Sequence, residues 1–203
     1  MPITLERLRR LATLDLGVLD EVRLDASATL PAVLVALGSI AMLGLGGWFW
    51  WIASGLGERW PVFLKSVVLG TGFAGAAWIV WLIVAYIVLN RLAHVALDVG
   101  ALLRAAGFAA LPLSLALLMA IRPVAFGIGL TALAAWVATT QVALQRTSGR
   151  TGGEVVVANL AGFAAWAVIM SLLASATNQT APGPFLAESI WEAVTSGKVT
   201  FLP

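Results

Sequence analysis

Apolar residues run along this chain in five long stretches that contain no charged residue. They are too long for the strands of a membrane barrel and lack the alternation of such strands, whereas a helix needs about 20 apolar residues to cross a bilayer. Lipid offers the backbone no hydrogen bonds, and a helix satisfies its own amides. The pattern therefore predicts an all-α polytopic membrane protein, a bundle of five transmembrane helices. The stretches are Ala26 to Gly57, Ser66 to Asn90, Ala105 to Ile121, Pro123 to Gln145 and Val155 to Ala187.

Residues 1–28 precede the membrane domain and form an amphipathic N-terminal segment. Apolar residues recur in it at helical spacing, with basic residues on the other side. Two interpretations follow: an interfacial helix lying on the membrane, or a solvated helix that docks on the rest of the protein. The apolar face consists of Leu5, Leu8, Leu11 or Ala12, and Leu14.

The tail, residues 177–203, follows the membrane domain of residues 29–176. Its sequence pattern predicts an amphipathic helix on the outer side of the membrane. Pro184 suits a first helical turn and Gly197 a C-terminal stop. Such a helix can rest in the headgroup layer or in a groove of a partner subunit, and its two Glu oppose anionic headgroups, which favours a partner. The predicted partner-contact residues are Phe185, Leu186, Ile190, Trp191 and Val194.

The basic residues divide unequally between the two sides of the membrane. Because cytoplasmic segments carry an excess of Lys and Arg, a split of eight against four places the N-terminus in the cytoplasm. Five spans then put the C-terminus outside. The inside residues are Arg7, Arg9, Arg10, Arg23, Arg91, Arg104, Arg146 and Arg150; the outside residues are Arg59, Lys65, Arg122 and Lys198.

The third stretch departs from the other four. Only 17 residues separate Arg104 from Arg122, and Pro112 lies in the middle. Proline removes one backbone hydrogen bond and kinks a helix, so a neighbouring helix or a polar side chain such as Ser114 must compensate in lipid. The Arg122-Pro123 junction predicts a tight hairpin with the fourth span.

The amino-acid composition argues against several classes of function. Hydrophobic residues make up 61% of the chain, mean hydropathy is +0.97, and there is one histidine and no cysteine. A net charge of +2 without a basic block argues against a nucleic-acid partner. Proton relays and ion sites place charges near the bilayer centre, and the stretches have none there. We therefore expect no enzyme, no cofactor, and membrane lipid and other integral membrane proteins as partners.

Polar residues near the membrane supply the remaining candidates. Arg146 and Arg150 flank a Gly-rich turn before a helix N-terminus, where a lipid phosphate or another anion can bind; a plain solvated loop is the alternative. His94 follows the second span as a solvated side chain or, less favourably, as an axial ligand of a tetrapyrrole. Possible interhelical hydrogen-bond partners are Thr139, Thr140, Gln141 and Asn159.

The run RLAHVALDVGALLRAAGFAALPLSLALLMAIRP, followed by a span ending WVATTQVALQRTSGR and by a fifth span, resembles the Yip family of five-span membrane proteins in its bacterial branch. The opening RLDASATLPAVLVALGSIAM is similar to bacterial members as well. Two features depart from the family: the Asp-Leu-x-Gly-Pro motif of eukaryotic relatives is absent, and the Gly pair of the linker is reduced to Gly100. The matching positions are Leu102, Leu103, Arg104, Gly107, Phe108 and Pro112.

The resemblance implies a non-enzymatic membrane scaffold of a bacterial inner membrane with a cytoplasmic N-terminus. GTPase binding by eukaryotic members is not carried over, because their motif is missing. Three functions stay open. The first is a scaffold or adaptor that organises protein partners or the membrane. The second is an accessory subunit of a larger respiratory or photosynthetic complex, and the third is a small-solute transporter.

Overall fold

All the regular structure is helical in the computed structural model, which describes residues 2–55, 59–95 and 97–177. Within these residues there is no strand, and five helical spans are long and apolar enough to cross a membrane. The prediction of an all-α bundle with five spans is confirmed. The spans are Ala26–Ser54, Arg59–Leu92, Val99–Ala120, Arg122–Ser148 and Gly153–Leu173.

Eight α-helices, joined by 3-10 and π-helical segments, make up most of the described part of the chain. They are α1 (Pro2–Ala12), α2 (Val18–Leu24), α3 (Thr29–Ser54), α4 (Arg59–Val62), α5 (Gly70–Ala93), α6 (Val99–Ala109), α7 (Ala125–Ser148) and α8 (Gly153–Thr177). A 3-10 turn, Ala26–Ala28, precedes α3, and a π-helical segment, Phe63–Leu69, joins α4 to α5. The third span continues from α6 as a 3-10 helix, Leu111–Ala120, and a 3-10 turn, Arg122–Val124, leads into α7.

Large aromatic rings fill the centre of the bundle, where α5 and α7 both pack on α8. The indoles of Trp81 and Trp136 meet edge to face at 4.9 Å between ring centroids, and Trp136 and Trp166 do so at 5.2 Å. The Nε1–H of Trp166 donates to the carbonyl oxygen of Ala74 at 3.1 Å, which ties α8 to α5. These rings are fully buried and bring a large apolar area into the core.

Glycine lets helices approach closely at two contacts of α3 with the third span. A Cβ atom at Gly46 would overlap the carbonyl oxygen of Ala116, and one at Gly107 would lie 2.6 Å from the carbonyl oxygen of Ala32. Close backbone approach is the means by which helices associate in lipid, where no hydrophobic force acts between them. Gly46 and Gly107 therefore serve packing within this chain.

The helix break in the third span occurs where Pro112 predicts it. The α-helix ends at Ala109, and the chain continues with 3-10 geometry. Because the break frees the carbonyl oxygen of Ala109 from its α-helical partner, another donor is needed in lipid. The hydroxyl of Thr139 on α7 reaches this oxygen at 2.6 Å. The group that compensates is thus Thr139 on the neighbouring helix and not Ser114.

Candidate functional site

The N-terminal segment, residues 2–28 with α1 and α2, folds onto one end of the bundle. Val18, Leu19 and Val22 of α2 are fully buried in a cluster with side chains of α6, among them Phe108. Of the two interpretations of this segment, docking on the protein is the one that the structure shows for α2. The buried members of the cluster are Leu11, Val18, Leu19, Val22, Ala28, Ala32, Ala105, Phe108, Ala109 and Ala143.

The predicted apolar face of α1 is only partly buried. Leu11 packs in the cluster and Leu8 lies at its edge, whereas Leu5 is exposed. Leu14 lies beyond the end of α1, with a φ of 65°, and is exposed as well. The expectation that Leu14 shares this helical face is therefore wrong. An interfacial role for the outer face of α1 stays a prediction.

Arg104 connects this segment to the third span. Its Nη2–H donates to the carbonyl oxygen of Arg23 at 2.6 Å, and its Nε–H lies 3.2 Å from the carbonyl oxygens of both Val22 and Arg23. Carbonyls in the last turn of a helix lack intrahelical partners and attract a cation. Arg104 therefore caps the C-terminus of α2 from within α6.

The structure places Arg104 inside the third span, not in a connection before it. The span begins at Val99, so this arginine occupies the sixth position of α6 and is buried. Asp98, whose carboxylate accepts the N–H of Gly100 at 2.8 Å and caps α6, lies 3.8 Å from the guanidinium. A guanidinium keeps its charge when buried, and its planar fork can serve several acceptors at once. These partners make the burial of Arg104 tolerable.

Ion pairs hold the segment in shape around this cap. Arg7 pairs with Asp25 at 2.8 Å, and Arg10 pairs with Asp15 at 2.8 Å and with Glu21 at 2.7 Å. A hydrogen bond from Arg10 lowers the pKa of Asp15, and hydrogen bonds from Ser27 and then Arg7 lower the pKa of Asp25. The bonds to Glu21 and Asp15 raise the pKa of Arg10. Folding of the segment therefore favours the ionised forms of Asp15, Asp25 and Arg10.

The predicted anion-contact residues have different surroundings. Arg146, at the end of α7, pairs with Asp20 of α2 and so links a second helix of the bundle to the N-terminal segment. Arg150 is exposed just beyond α7, and its backbone N–H donates to the hydroxyl of Ser148 at 3.3 Å. Contact of Arg146 or Arg150 with a lipid phosphate stays a prediction.

The other predicted site residues lie elsewhere. His94 is exposed at the C-terminal end of α5 in the left-handed region, with a φ of 50°. A tetrapyrrole ligand at this position stays a prediction. The tail residues proposed to contact a partner lie outside the described residues: Phe185, Leu186, Ile190, Trp191 and Val194.

A second polar site lies between α7 and α8. The Nδ2–H of Asn159 donates to the carbonyl oxygen of Val137 at 3.0 Å, an interhelical bond of the kind that the sequence predicts. Among the described residues, the buried Oδ1 of Asn159, Nε2 of Gln141 and hydroxyl of Thr140 have no hydrogen-bond partner. The side chains of Asn159 and Gln141 both line an open groove between the two helices.

Comparisons with protein-family models, with curated proteins and with solved structures found no match to this chain. The likeness to the Yip family therefore stays a prediction from the residues that carry it. The function has to be inferred from the chain's own residues and their geometry.

Proposed function

We propose that this protein is a non-catalytic integral membrane scaffold or adaptor whose docked N-terminal segment presents a fixed surface to protein partners. The observation that carries the proposal is the cap formed by Arg104, which joins the third span to the C-terminus of α2. A segment built into the bundle in this way has a defined position at the membrane. It can therefore hold a partner at a fixed place.

A pre-ordered surface suits an adaptor for a thermodynamic reason. A segment that folds only on binding loses conformational entropy at that moment, and the loss weakens its affinity. Here the hydrogen bonds of Arg104 and the Arg7–Asp25 pair order the segment before any partner arrives. On the outer face of α1, the side chains of Glu6 and Arg9 are 56% and 79% exposed. They offer charges for a partner to recognise.

Polar groups within the spans support a structural role over transport. Thr139 bonds to the carbonyl of Ala109 and Asn159 to that of Val137, and both bonds join neighbouring helices. Interhelical hydrogen bonds of this kind stabilise a membrane bundle by about 0.6–2 kcal/mol each. These polar groups therefore hold helices together, which favours a scaffold over a small-solute transporter.

We place the N-terminal segment in the cytoplasm and the C-terminus outside, in a bacterial plasma membrane. With Arg104 assigned to the third span, this orientation leaves seven basic residues on the inner side against four on the outer side. The resemblance to the bacterial branch of the Yip family implies the same arrangement. A reporter fused at the N-terminus is expected to be inactive on the outer side, and one fused after Pro203 to be active there. Finding both reporters on one side would overturn the orientation.

An accessory subunit of a larger respiratory or photosynthetic complex is the second candidate, and an aromatic surface favours it. Trp60 stacks on Phe63 with 5.2 Å between centroids and is 64% exposed, while the Nε1–H of Trp48 donates to the carbonyl of Arg59. Exposed tryptophan is common in protein interfaces and also at the membrane–water boundary. In a complex this surface would pack against a neighbouring subunit.

Co-purification of the full chain in mild detergent tests the scaffold proposal. We expect stoichiometric protein partners with the wild type and with Arg91→Leu, an exposed basic residue on α5 that serves as the control. Arg104→Leu should release them because α2 loses its cap. Arg9→Glu reverses an exposed charge and breaks only the surface pair of Arg9 with Glu6, so it should weaken partner binding while the bundle stays folded.

Three outcomes separate the candidate functions. Partners that require the N-terminal segment support the scaffold. A large complex that survives both Arg104→Leu and Arg9→Glu supports the accessory subunit and contradicts the scaffold. Purification without any stoichiometric partner, together with solute flux in liposomes, would overturn both in favour of a transporter.

A further inference from the structure

The groove between α7 and α8 is an open, mostly apolar surface of the membrane domain. It has a volume of about 530 Å³. Ala134 and Ala138, one turn apart on α7, are exposed along it, and the larger side chains of Leu130, Val156 and Leu160 form exposed walls. Small residues four positions apart let another helix approach closely. The shape therefore suits a helical occupant.

Two buried amide atoms in this groove lack hydrogen-bond partners within the described part of the chain, the Oδ1 of Asn159 and the Nε2 of Gln141. Asn159 is 1% exposed, and its Nδ2–H is fixed on the carbonyl of Val137, because the flipped amide would set two oxygens against each other. Its Oδ1 is therefore a free acceptor. The Nε2–H of Gln141 is a free donor in the same groove. Each chain thus has one acceptor and one donor in the groove without a hydrogen-bond partner.

The two groups lie at the same depth in the membrane. Gln141 is seven residues before the end of α7 at Ser148, and Asn159 is six residues after the start of α8 at Gly153. At a rise of about 1.5 Å per residue both lie roughly 10 Å from the same end of the bundle. Helices of this length exceed a hydrocarbon core of about 30 Å by only a few ångströms at each end. Both amides are therefore within the hydrocarbon, below the lipid headgroups, where an unpaired polar group is costly.

We propose that a second copy of this chain docks in the groove, related by a two-fold axis parallel to the membrane normal. This pairing requires the Gln141 side chain to rotate out of its buried position, after which its Nε2–H in each copy donates to the Oδ1 of Asn159 in the other copy. Two copies in one membrane share orientation and depth, so each automatically offers both the donor and the acceptor. An isologous interface of this kind satisfies all four groups at once. This inference does not depend on the scaffold function.

Single-molecule photobleaching of labelled protein in liposomes tests the proposal at several protein densities. We expect dimers for the wild type, and a dissociation constant roughly tenfold higher for Gln141→Leu, since each dimer then loses two interhelical bonds. Gln145→Leu changes the same residue type one turn further along α7, outside the groove, and should dimerise like the wild type. Tryptophan fluorescence checks that each variant is folded.

Cysteine cross-linking in membranes gives an independent measurement, because the chain contains no cysteine. Ala134→Cys should form an oxidised dimer efficiently, whereas Ala76→Cys, an exposed alanine on α5, should not. A wild type that stays monomeric at every density, or equal cross-linking of both variants, would overturn the proposal. So would unchanged dimerisation of Gln141→Leu, because the contact between copies would then lie outside this groove.

Discussion

Arg104 donates a 2.6 Å hydrogen bond to the backbone carbonyl of Arg23, a residue 81 positions earlier in the chain. The bond joins the third span to the C-terminus of α2. A charged residue that sequence reasoning assigned to a connection is therefore a cap buried in the structure. Through this contact the N-terminal segment belongs to the same folded unit as the membrane domain.

Close packing of α3 on the third span predicts different outcomes for two glycines of α3. Gly46→Ala should destabilise the bundle by about 1–3 kcal/mol, because the new methyl group overlaps the carbonyl oxygen of Ala116. Gly38→Ala meets nothing within 4 Å and should be neutral or stabilise by about 0.5–1 kcal/mol. Unfolding in detergent, followed by tryptophan fluorescence, measures both. Equal effects of the two substitutions would contradict the packing.

Replacing Thr139 by valine is expected to lower the stability of the bundle more than the same replacement of Thr131. Thr139→Val leaves the carbonyl of Ala109 without a partner at the break of the third span and should lower the free energy of unfolding by about 1–2 kcal/mol. Thr131→Val is the matched control on α7, since its hydroxyl bonds only to Gly127 of the same helix. A similar small loss for both variants would show that Thr139 does not compensate the break.

Acid is expected to loosen α1 within the N-terminal segment, because Asp15 and Asp25 hold this helix through Arg10 and Arg7. The pKa values of Asp15 and Asp25 are lowered in the folded segment, so their contribution to stability is full above the unfolded value of about 3.9 and is lost as pH falls through the folded values. Spin labels at Ala12→Cys and Gln145→Cys should report a defined distance at pH 7 and a distribution that broadens only as the pH falls below about 3.9.

Asp25→Asn supplies the control for this titration. It removes one of the two carboxylates with a lowered pKa, so the spin-label distances should be broader than in the parent at pH 7 and change less on acidification. Broadening near pH 6, or an unchanged distribution well below a pH of about 3.9, would contradict the assignment of the transition to these carboxylates.

The five spans were predictable because the bilayer imposes the same demand on each of them. Every crossing helix must be apolar for about 20 residues, and that property is local in the sequence. Span ends are less predictable, because charged residues do not always mark the end of a span. The second span begins at Arg59 and continues through Lys65, and the third begins at Val99 with Arg104 inside it.

The contacts of the N-terminal segment were not predictable from spacing. Leu5, Leu11 and Leu14 share a helical pattern, yet only Leu11 is buried, because α1 ends at Ala12 and the bundle covers one side of it. One signal for the role of Arg104 was present, a single arginine within the small-residue run VGALLRAAGFA. Its acceptors are backbone carbonyls in another helix, which no side-chain pattern reveals.

The helix break at Pro112 also combines a feature that the local sequence predicts with one that depends on a distant residue. The sequence predicts that a broken helix in lipid needs an extra donor, because the requirement follows from the proline itself. It does not identify the donor. Thr139 fills the role because α7 packs beside the break, whereas the nearby Ser114 lies on the broken helix.

Hydrogen–deuterium exchange of α2 in lipid nanodiscs tests the central claim most directly, that Arg104 fixes the N-terminal segment to the bundle. Amides of Val18–Leu24 should be protected in the wild type and in Arg91→Leu. In Arg104→Leu they should exchange roughly 30- to 150-fold faster, corresponding to a loss of about 2–3 kcal/mol for hydrogen bonds to a charged group. Fast exchange of α2 in the wild type, or equal protection in Arg104→Leu, would contradict the account.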